Sequence, residues 1–429
     1  MHSPTTTSPA DTAAPGLNWA RNHRYAAARL HRPRSVEELQ ELVARTGRLR
    51  ALGTRHCFND VADSPGDLVT LEALPTRVDV DAAAGRVRVS AGTSYGVLAQ
   101  RLHDAGWALR TMASLPHISV GGAVATATHG SGDRTQNLAA DVRALELVGA
   151  DGALRRTERG EAGFAGSVVA LGALGVVTAL ELDVVPTYEV RQDVYSGLSF
   201  DAFTHNLDAV TSAAHSVSVY TTWVGEDTAQ VWLKTRLADS ADAPAELFGA
   251  RRASEPLHPL PEVDVLNATE QLGVPGPWHE RLPHFRFSFQ PSNGEELQAE
   301  YLVERAHAVT AIAELRRLGP SIAPLLHMCE VRTVAADDLW LSSSYERDAV
   351  AFHFTFRQRQ PEVLTALARV EDALLPLGAR PHWGKLFTAG AATLAGLYPR
   401  FADARALVAR HDPDGKFANA FTDRIGLTG

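Results

Sequence analysis

The sequence predicts an α+β fold in two units, on three observations. Short alternating runs, Val78–Asp81 and Val87–Ser90 among them, read as strands lying between helical patterns up to about residue 187. Their connections are long and rich in glycine, above all Ser114–Gly132. Past residue 187 the texture changes. Most aromatic residues fall there, with proline clusters at Glu255–Pro261 and Val274–Pro277. Strand patterns recur at Ser216–Tyr220, His284–Phe289, Cys329–Val334 and Ala351–Phe356, with a helical pattern at Tyr301–Leu318 between them, which makes a second α+β unit.

Taken in order, residues 1–17 are polar and lack both a basic start and an apolar stretch. They predict a loose N-terminal arm and not a signal peptide. Order is expected from Asn18 onward. Ser35 followed by Glu38 is a capping-box pattern, and Val36, Leu39, Leu42 and Val43 then share one helical face. Leu49–Gly53 reads as a short strand ending in glycine, followed by a polar loop, Thr54–Asp60, with His56 at its centre. Val78–Asp81 and Val87–Ser90 form a hairpin, and Ser94 opens a helix carrying Val97, Leu98 and Leu102. Val142–Val148 and the residues after Asp151-Gly152 form a second hairpin on an Asp-Gly turn. Val176–Val185 is a strand closed by Pro186.

Composition narrows the function classes. Of 429 residues, 41 are Lys or Arg and 50 are Asp or Glu, a net charge of −9 that argues against a nucleic-acid footprint or a polybasic membrane face. With 2 cysteines the chain builds no disulfide scaffold, which points to a reducing compartment, the cytoplasm. The longest nearly apolar run, Ala165–Leu180, is too short to span a bilayer. No HExxH, paired CxxC or EF-hand pattern occurs, so no metal site is expected.

Six segments, and a GxSxG match beside them, carry residue types suited to chemistry, and several also have a plainer reading. Ser114–Gly132 offers small side chains, hydroxyls and backbone N–H groups suited to a diphosphate, or it is a flexible connection. Gly53–His56 places a histidine in a loop, as a functional group or a surface cap. Glu330 and Arg332 share one strand face, as do His353 and Thr355, while Phe352, Phe354 and Phe356 take the other. Pro381–Lys385 suits an anion or a flat ring, or is a loop; Asp412–Asn419 reads as a turn. Gly92–Gly96 matches GxSxG between a strand and a helix, which leaves a serine hydrolase built on Ser94 open.

Eight motifs in order carry a resemblance. They are Gly53–Asn59, Met112–Val120, Ala125–Gly130, Leu171–Thr178, Gly276–His284, Cys329–Thr333, His382–Lys385 and Gly415–Asn419. From about Asn18 to its end the chain resembles the alditol (xylitol) oxidases, vanillyl-alcohol-oxidase-type (VAO/PCMH) flavoproteins close to the aldonolactone oxidases. The resemblance implies a two-domain FAD-binding fold. Residues 18–187 would be the FAD-binding domain in two α+β subdomains, and 188–407 an α+β substrate-binding cap. Residues 408–429 would return to the FAD domain.

The resemblance also implies site residues. FAD would be bonded to His56 through its 8α-methyl carbon, in a loop that includes Gly53, Thr54, Arg55 and Cys57. Related loops usually read Gly-His-Ser where this one reads Arg55-His56-Cys57. Ser114, Ser119, Gly122, Thr126, Ala127, Thr128 and His129 would wrap the diphosphate and ribityl chain. Gly172, Gly175 and Val177 would lie by the adenine, His382 by the flavin, and Ala113 would leave a route for O₂. A polyol would be bound by Ser114, Glu330, Arg332 and Thr355. His353 would take the C1 hydroxyl proton, with Glu330 as the second candidate, and Arg332 and Lys385 would stabilise developing negative charge. The implied reaction is oxidation of xylitol or sorbitol by O₂ in a monomer. An aldonolactone oxidase or dehydrogenase on the same fold is the alternative.

Overall fold

The computed structural model describes residues 12–240, 242–260, 263–289 and 294–429. Residues 1–11 of the expected arm lie outside the described residues. From Thr12 the chain is already tied down: Thr12–Ala13 pairs antiparallel with Arg29–His31, and the Arg55 guanidinium donates to the Pro15 carbonyl. The predicted helix is present at Val36–Arg45, where Ser35 Oγ accepts from the Glu38 N–H. The Glu38 carboxylate reaches back one residue further than expected, to the Arg34 N–H at 2.7 Å. Leu39, Leu42 and Val43 are buried by the 3.6-residue period.

Two larger sheets, with a two-stranded pairing of Trp107–Ala108 and Val185–Pro186, build the first unit. Arg29–His31, Asp67–Val69 and Leu49–Ala51 run parallel side by side. Val78–Asp81, Arg86–Ser90, Val176–Asp183, Val142–Val148 and Leu154–Glu158 form a five-stranded antiparallel sheet containing both predicted hairpins. Its apolar residues, with Leu98 and Leu102 of the Tyr95–Asp104 helix, make the first core. The run Ser114–Gly132 is not all loop: Val120–Ala125 is a short helix whose Val120, Ala123 and Val124 join that core.

The second unit is one large antiparallel sheet. Its centre runs in the order Glu189–Ser196, Gln230–Arg236, Ser216–Thr221, Leu326–Val334, Ala349–Arg357, Glu296–Glu304. The helices Ala308–Ile322 and Gln360–Leu374 cover one face. Phe352, Phe354 and Phe356 pack there against Ile312, Leu315, Val363 and Leu367. The alternation that sends these phenylalanines to the helices sends the polar residues between them to the other face, toward the first unit.

Two expected elements differ. Tyr301–Glu304 is the end of a strand, not the start of a helix, because alternation from Glu296 continues through it. His284–Phe289 forms no strand; only Phe285 is bridged, to Ala268, and prolines lie on both sides of this segment of chain. The return to the first unit also begins before residue 408: Trp383, Leu394, Tyr398 and Phe401 belong to the first core. The Asp412–Asn419 turn is present, with the Asp412 carboxylate accepting from the Lys416 and Phe417 N–H groups. Among the described residues no helix is long and apolar enough to cross a membrane.

Candidate active site

One cavity of about 680 Å³ lies between the first unit and the polar face of the large sheet. Gly53, Thr54, Arg55, His56 and Cys57 enter it from the loop after Leu49–Ala51. Ser114, Ser119, Gly122, Thr126, Thr128 and His129 line it from the glycine-rich run, and Gly172, Gly175 and Val177 from the far end. Glu330, Arg332, His353 and Thr355 come from the sheet, and His382 and Lys385 from the loop beyond. Ala127 does not line it. This residue is buried in the first core at φ +54°, turning the chain between Thr126 and Thr128.

The glycine-rich wall is shaped for close approach. A Cβ on Gly53 or Gly122 would come within 2.8 or 2.9 Å of Ser119 Oγ, so larger residues would fill the cradle. Arg55 holds φ +65°, a left-handed backbone that glycine takes readily, which accounts for the glycine usual at this point in related loops. His56 stacks on Trp19 with ring centroids 5.4 Å apart. Its Nδ1 is buried without a partner, and burial draws its pKa down to about 4, so the ring is neutral. Asn59 donates to the carbonyls of Trp383 and Lys385 at 2.8 and 2.7 Å, joining the His56 loop to the Lys385 loop.

Strand register assembles the polar cluster. Glu300 and Glu330 lie on either side of His353 across neighbouring strands, and Tyr220 follows Glu330. Glu300 accepts from Lys385 Nζ at 2.7 Å and from the Arg332 guanidinium at 2.6 Å, and His129 Nε2 lies 3.1 Å away. Arg332 also reaches Ser114 Oγ at 3.3 Å. Glu330 meets His284 Nε2 at 2.7 Å and His353 Nδ1 at 3.5 Å. On the cavity wall the carboxylates of Glu300 and Glu330 thus face the cations of Arg332 and Lys385.

The environment sets each protonation state. Burial alone would raise the two carboxyls, but Lys385 and Arg332 hold Glu300 well below its ordinary value, as Arg332 and His284 do Glu330. Burial, then Lys385, brings His353 down to about 4. An ionised carboxylate only accepts, so His353 Nδ1 carries the proton toward Glu330. The lone pair is left on Nε2, which is buried without a partner. Burial also lowers Lys385, opposed by Glu300.

Sequence reasoning missed Glu300 and gave His284 no role. Glu300 stands just before the helical pattern expected from Tyr301, in a stretch for which no strand is expected; the alternation Glu296, Gln298, Glu300 is the available signal. Ser94 is not a nucleophile: its Oγ caps the Tyr95–Asp104 helix at the Val97 N–H, 3.3 Å, and among the described residues no histidine bonds to it. Among the described residues no group of three or more His, Cys, Asp or Glu could hold a metal ion.

Comparison with known proteins agrees with this geometry. Residues 27–158 match the family model "FAD binding domain", and residues 293–425 match "D-arabinono-1,4-lactone oxidase". The chain is 50% identical over 408 residues to an alditol oxidase of a Streptomyces species, covering 94% of this chain and 97% of that one. The chain belongs to the alditol oxidase family. It is an FAD-binding oxidoreductase of the VAO/PCMH type. L-gulono-1,4-lactone dehydrogenase of Mycobacterium tuberculosis is more distant, 28% identical across 95% of this chain and 98% of that protein. The crystal structure of cholesterol oxidase from B. sterolicum, 14% identical, superposes with a TM-score of 0.77 over 99% of both chains and shows the shared fold. The cradle fits the cofactor of this alditol oxidase family: glycines where a Cβ would intrude, and a neutral His56 with an unpartnered buried nitrogen.

Proposed function

We propose that this chain oxidises the terminal primary alcohol of a sugar alcohol, xylitol or sorbitol, to the aldehyde, with O₂ leaving as H₂O₂. The observation that carries the reading is the unpartnered His353 Nε2, set among paired charges that open on the same cavity as His56. FAD, held by the cradle, would supply the hydride acceptor and the link to O₂. The chain's own residues do the rest. His353 Nε2 takes the C1 hydroxyl proton as hydride departs, while Glu330 fixes the ring's orientation. Arg332 and Lys385 face the developing negative charge, held in place by Glu300. Ser114 and Thr355 offer hydroxyls to the neutral polyol. The small Ala113 leaves room on the cavity wall for O₂.

His56 is the residue that would carry FAD covalently, with Arg55 and Cys57 flanking it. The remaining cradle residues, Gly53, Thr54, Ser119, Gly122, Thr126, Thr128, His129, Val177 and His382, would hold the cofactor without bonds to carbon. The test is anaerobic addition of xylitol, sorbitol and an aldonolactone to the yellow holoprotein. Bleaching by the polyols, with H₂O₂ formed on readmitting air, supports the reading. Bleaching by the lactone alone would replace it with lactone oxidation. After acid precipitation, colour in the wild-type pellet and in the supernatant of His56→Ala is expected; colour in the variant's pellet would remove His56.

A further inference from the structure

Behind the polar cluster lies a buried cation that the proposed reaction leaves unused. Lys234 sits on the Gln230–Arg236 strand, 1% exposed and outside the cavity. Its Nζ lies 2.6 Å from the Leu282 carbonyl, 2.9 Å from the Pro283 carbonyl and 2.9 Å from His284 Nδ1. His284 Nε2 continues to Glu330 Oε1 at 2.7 Å, and Glu330 Oε2 to His353 Nδ1 at 3.5 Å. Four side chains from four segments therefore form one unbroken line, Lys234–His284–Glu330–His353.

The proton positions along this line are determined from both ends. Glu330 is ionised beside Arg332 and can only accept, so His284 Nε2 must donate to it. Burial, reinforced by Lys234, keeps the His284 ring neutral, with a pKa near 4. A neutral ring that donates from Nε2 presents a lone pair at Nδ1. Lys234 then faces three acceptors, two carbonyls and that lone pair, and an ammonium has three hydrogens to match. Burial draws Lys234 well below its ordinary value, opposed by the Glu330 carboxylate, yet the three acceptors favour the ammonium, since a neutral amine would leave one lone pair facing another.

We propose that Lys234 is a positioning residue: its ammonium fixes the His284 tautomer, which keeps Glu330 an ionised acceptor and so turns the His353 lone pair toward the substrate. This rests on the proposed oxidation, in which His353 takes the proton. The groups that face Glu330 are Arg332, His284 and His353, with Tyr220 across the strand pair; Glu300 and Lys385 lie beyond Arg332. Those around Lys234 are Gln192 and Ser216 on the neighbouring strands and the Trp232 ring, 5.9 Å away.

The test compares Lys234→Met with wild-type holoenzyme. Flavin loading is expected to persist, because Lys234 does not line the cavity. Loss of the cation and of the fixed donor makes ionised Glu330 less favourable. The acid limb of the kcat/KM profile for xylitol then moves to higher pH, and kcat falls roughly tenfold or more while KM changes little. A role in packing alone would lower activity without moving the limb. In ¹⁵N-histidine-labelled holoenzyme, the His284 signals, assigned by their loss in His284→Gln, should show an Nε2–H tautomer that Lys234→Met converts to a mixture. If Lys234→Met fails to load flavin, the pair His284→Gln and His284→Leu decides. Glutamine keeps a donor to Glu330 and should hold the acid limb near its wild-type position, whereas leucine should raise it. An active wild type with an unmoved limb in Lys234→Met, or with identical limbs in the two His284 variants, overturns this proposal alone. A wild type that no polyol reduces overturns the proposed function and this inference with it.

Discussion

At the scale of single residues, Glu300 bears more of the site than its silence in the sequence suggests. One buried carboxylate anchors both cations, Lys385 at 2.7 Å and Arg332 at 2.6 Å. Glu300→Gln keeps the shape but leaves two buried cations facing one carboxylate, and neither stays where developing charge needs it. Flavin reduction by xylitol is expected to slow roughly a hundredfold or more, measured by anaerobic stopped flow. A rate within a factor of two or so of wild type would show that Glu300 does not position the cations. Glu330, Arg332, His353 and Thr355 were legible because their i, i+2 spacing, alternating with Cys329 and Val331 on one strand and with three phenylalanines on the other, declares which face they share. Glu300, His284 and Lys234 were not. Their importance comes from partners 32, 46 and 50 positions away, and a single sequence does not give such pairings.

At the scale of elements, the alternation that exposes Glu330 and His353 to the cavity buries Phe352, Phe354 and Phe356 against the two helices. Phe354, with none of its surface exposed, is the internal neighbour of both His353 and Thr355. Phe354→Ala is expected to cost about 3–5 kcal/mol in urea unfolding, and a loss below about 1 kcal/mol would show that the helices do not clamp the strand. The junction of two loops matters as much. Asn59 ties the His56 loop to the Lys385 loop through two carbonyls, so Asn59→Ala should cost roughly 1–3 kcal/mol and lower both retained flavin and turnover. Losing only one of the two would separate the functions of the loops. Hairpins and capped helices were read correctly because their turn chemistry is local: Asp-Gly at 151–152, Ser at 35 and 94. The short Val120–Ala125 helix was missed because glycines at 121 and 122 disguise it; packing of Val120 and Val124 in the first core, not propensity, makes it helical.

At the scale of the whole molecule, the site sits where two units meet, and its buried charges and histidines couple catalysis to stability. Burial is the main reason that His284 and His353 have pKa values near 4, against an ordinary 6.5. Below pH 6.5 the unfolded chain takes up protons that the folded chain refuses. Their contribution is therefore fully present above pH 6.5 and is lost as pH falls toward about 4. Glu300 and Glu330 are shifted below the ordinary 4.5, so their contribution is present above that value and is lost only at lower pH. Acid destabilisation should thus begin with the histidines. Melting temperatures of the holoprotein at steps between pH 7.5 and 4.5 should fall as pH drops, most steeply below pH 6.5, before the carboxylates contribute. In His353→Gln, where one refused proton is removed from the folded state's account, the same series should fall less steeply. A wild-type melting temperature that stays level down to pH 4.5 would mean that these rings are protonated within the fold, and then His353 has no lone pair to offer a substrate.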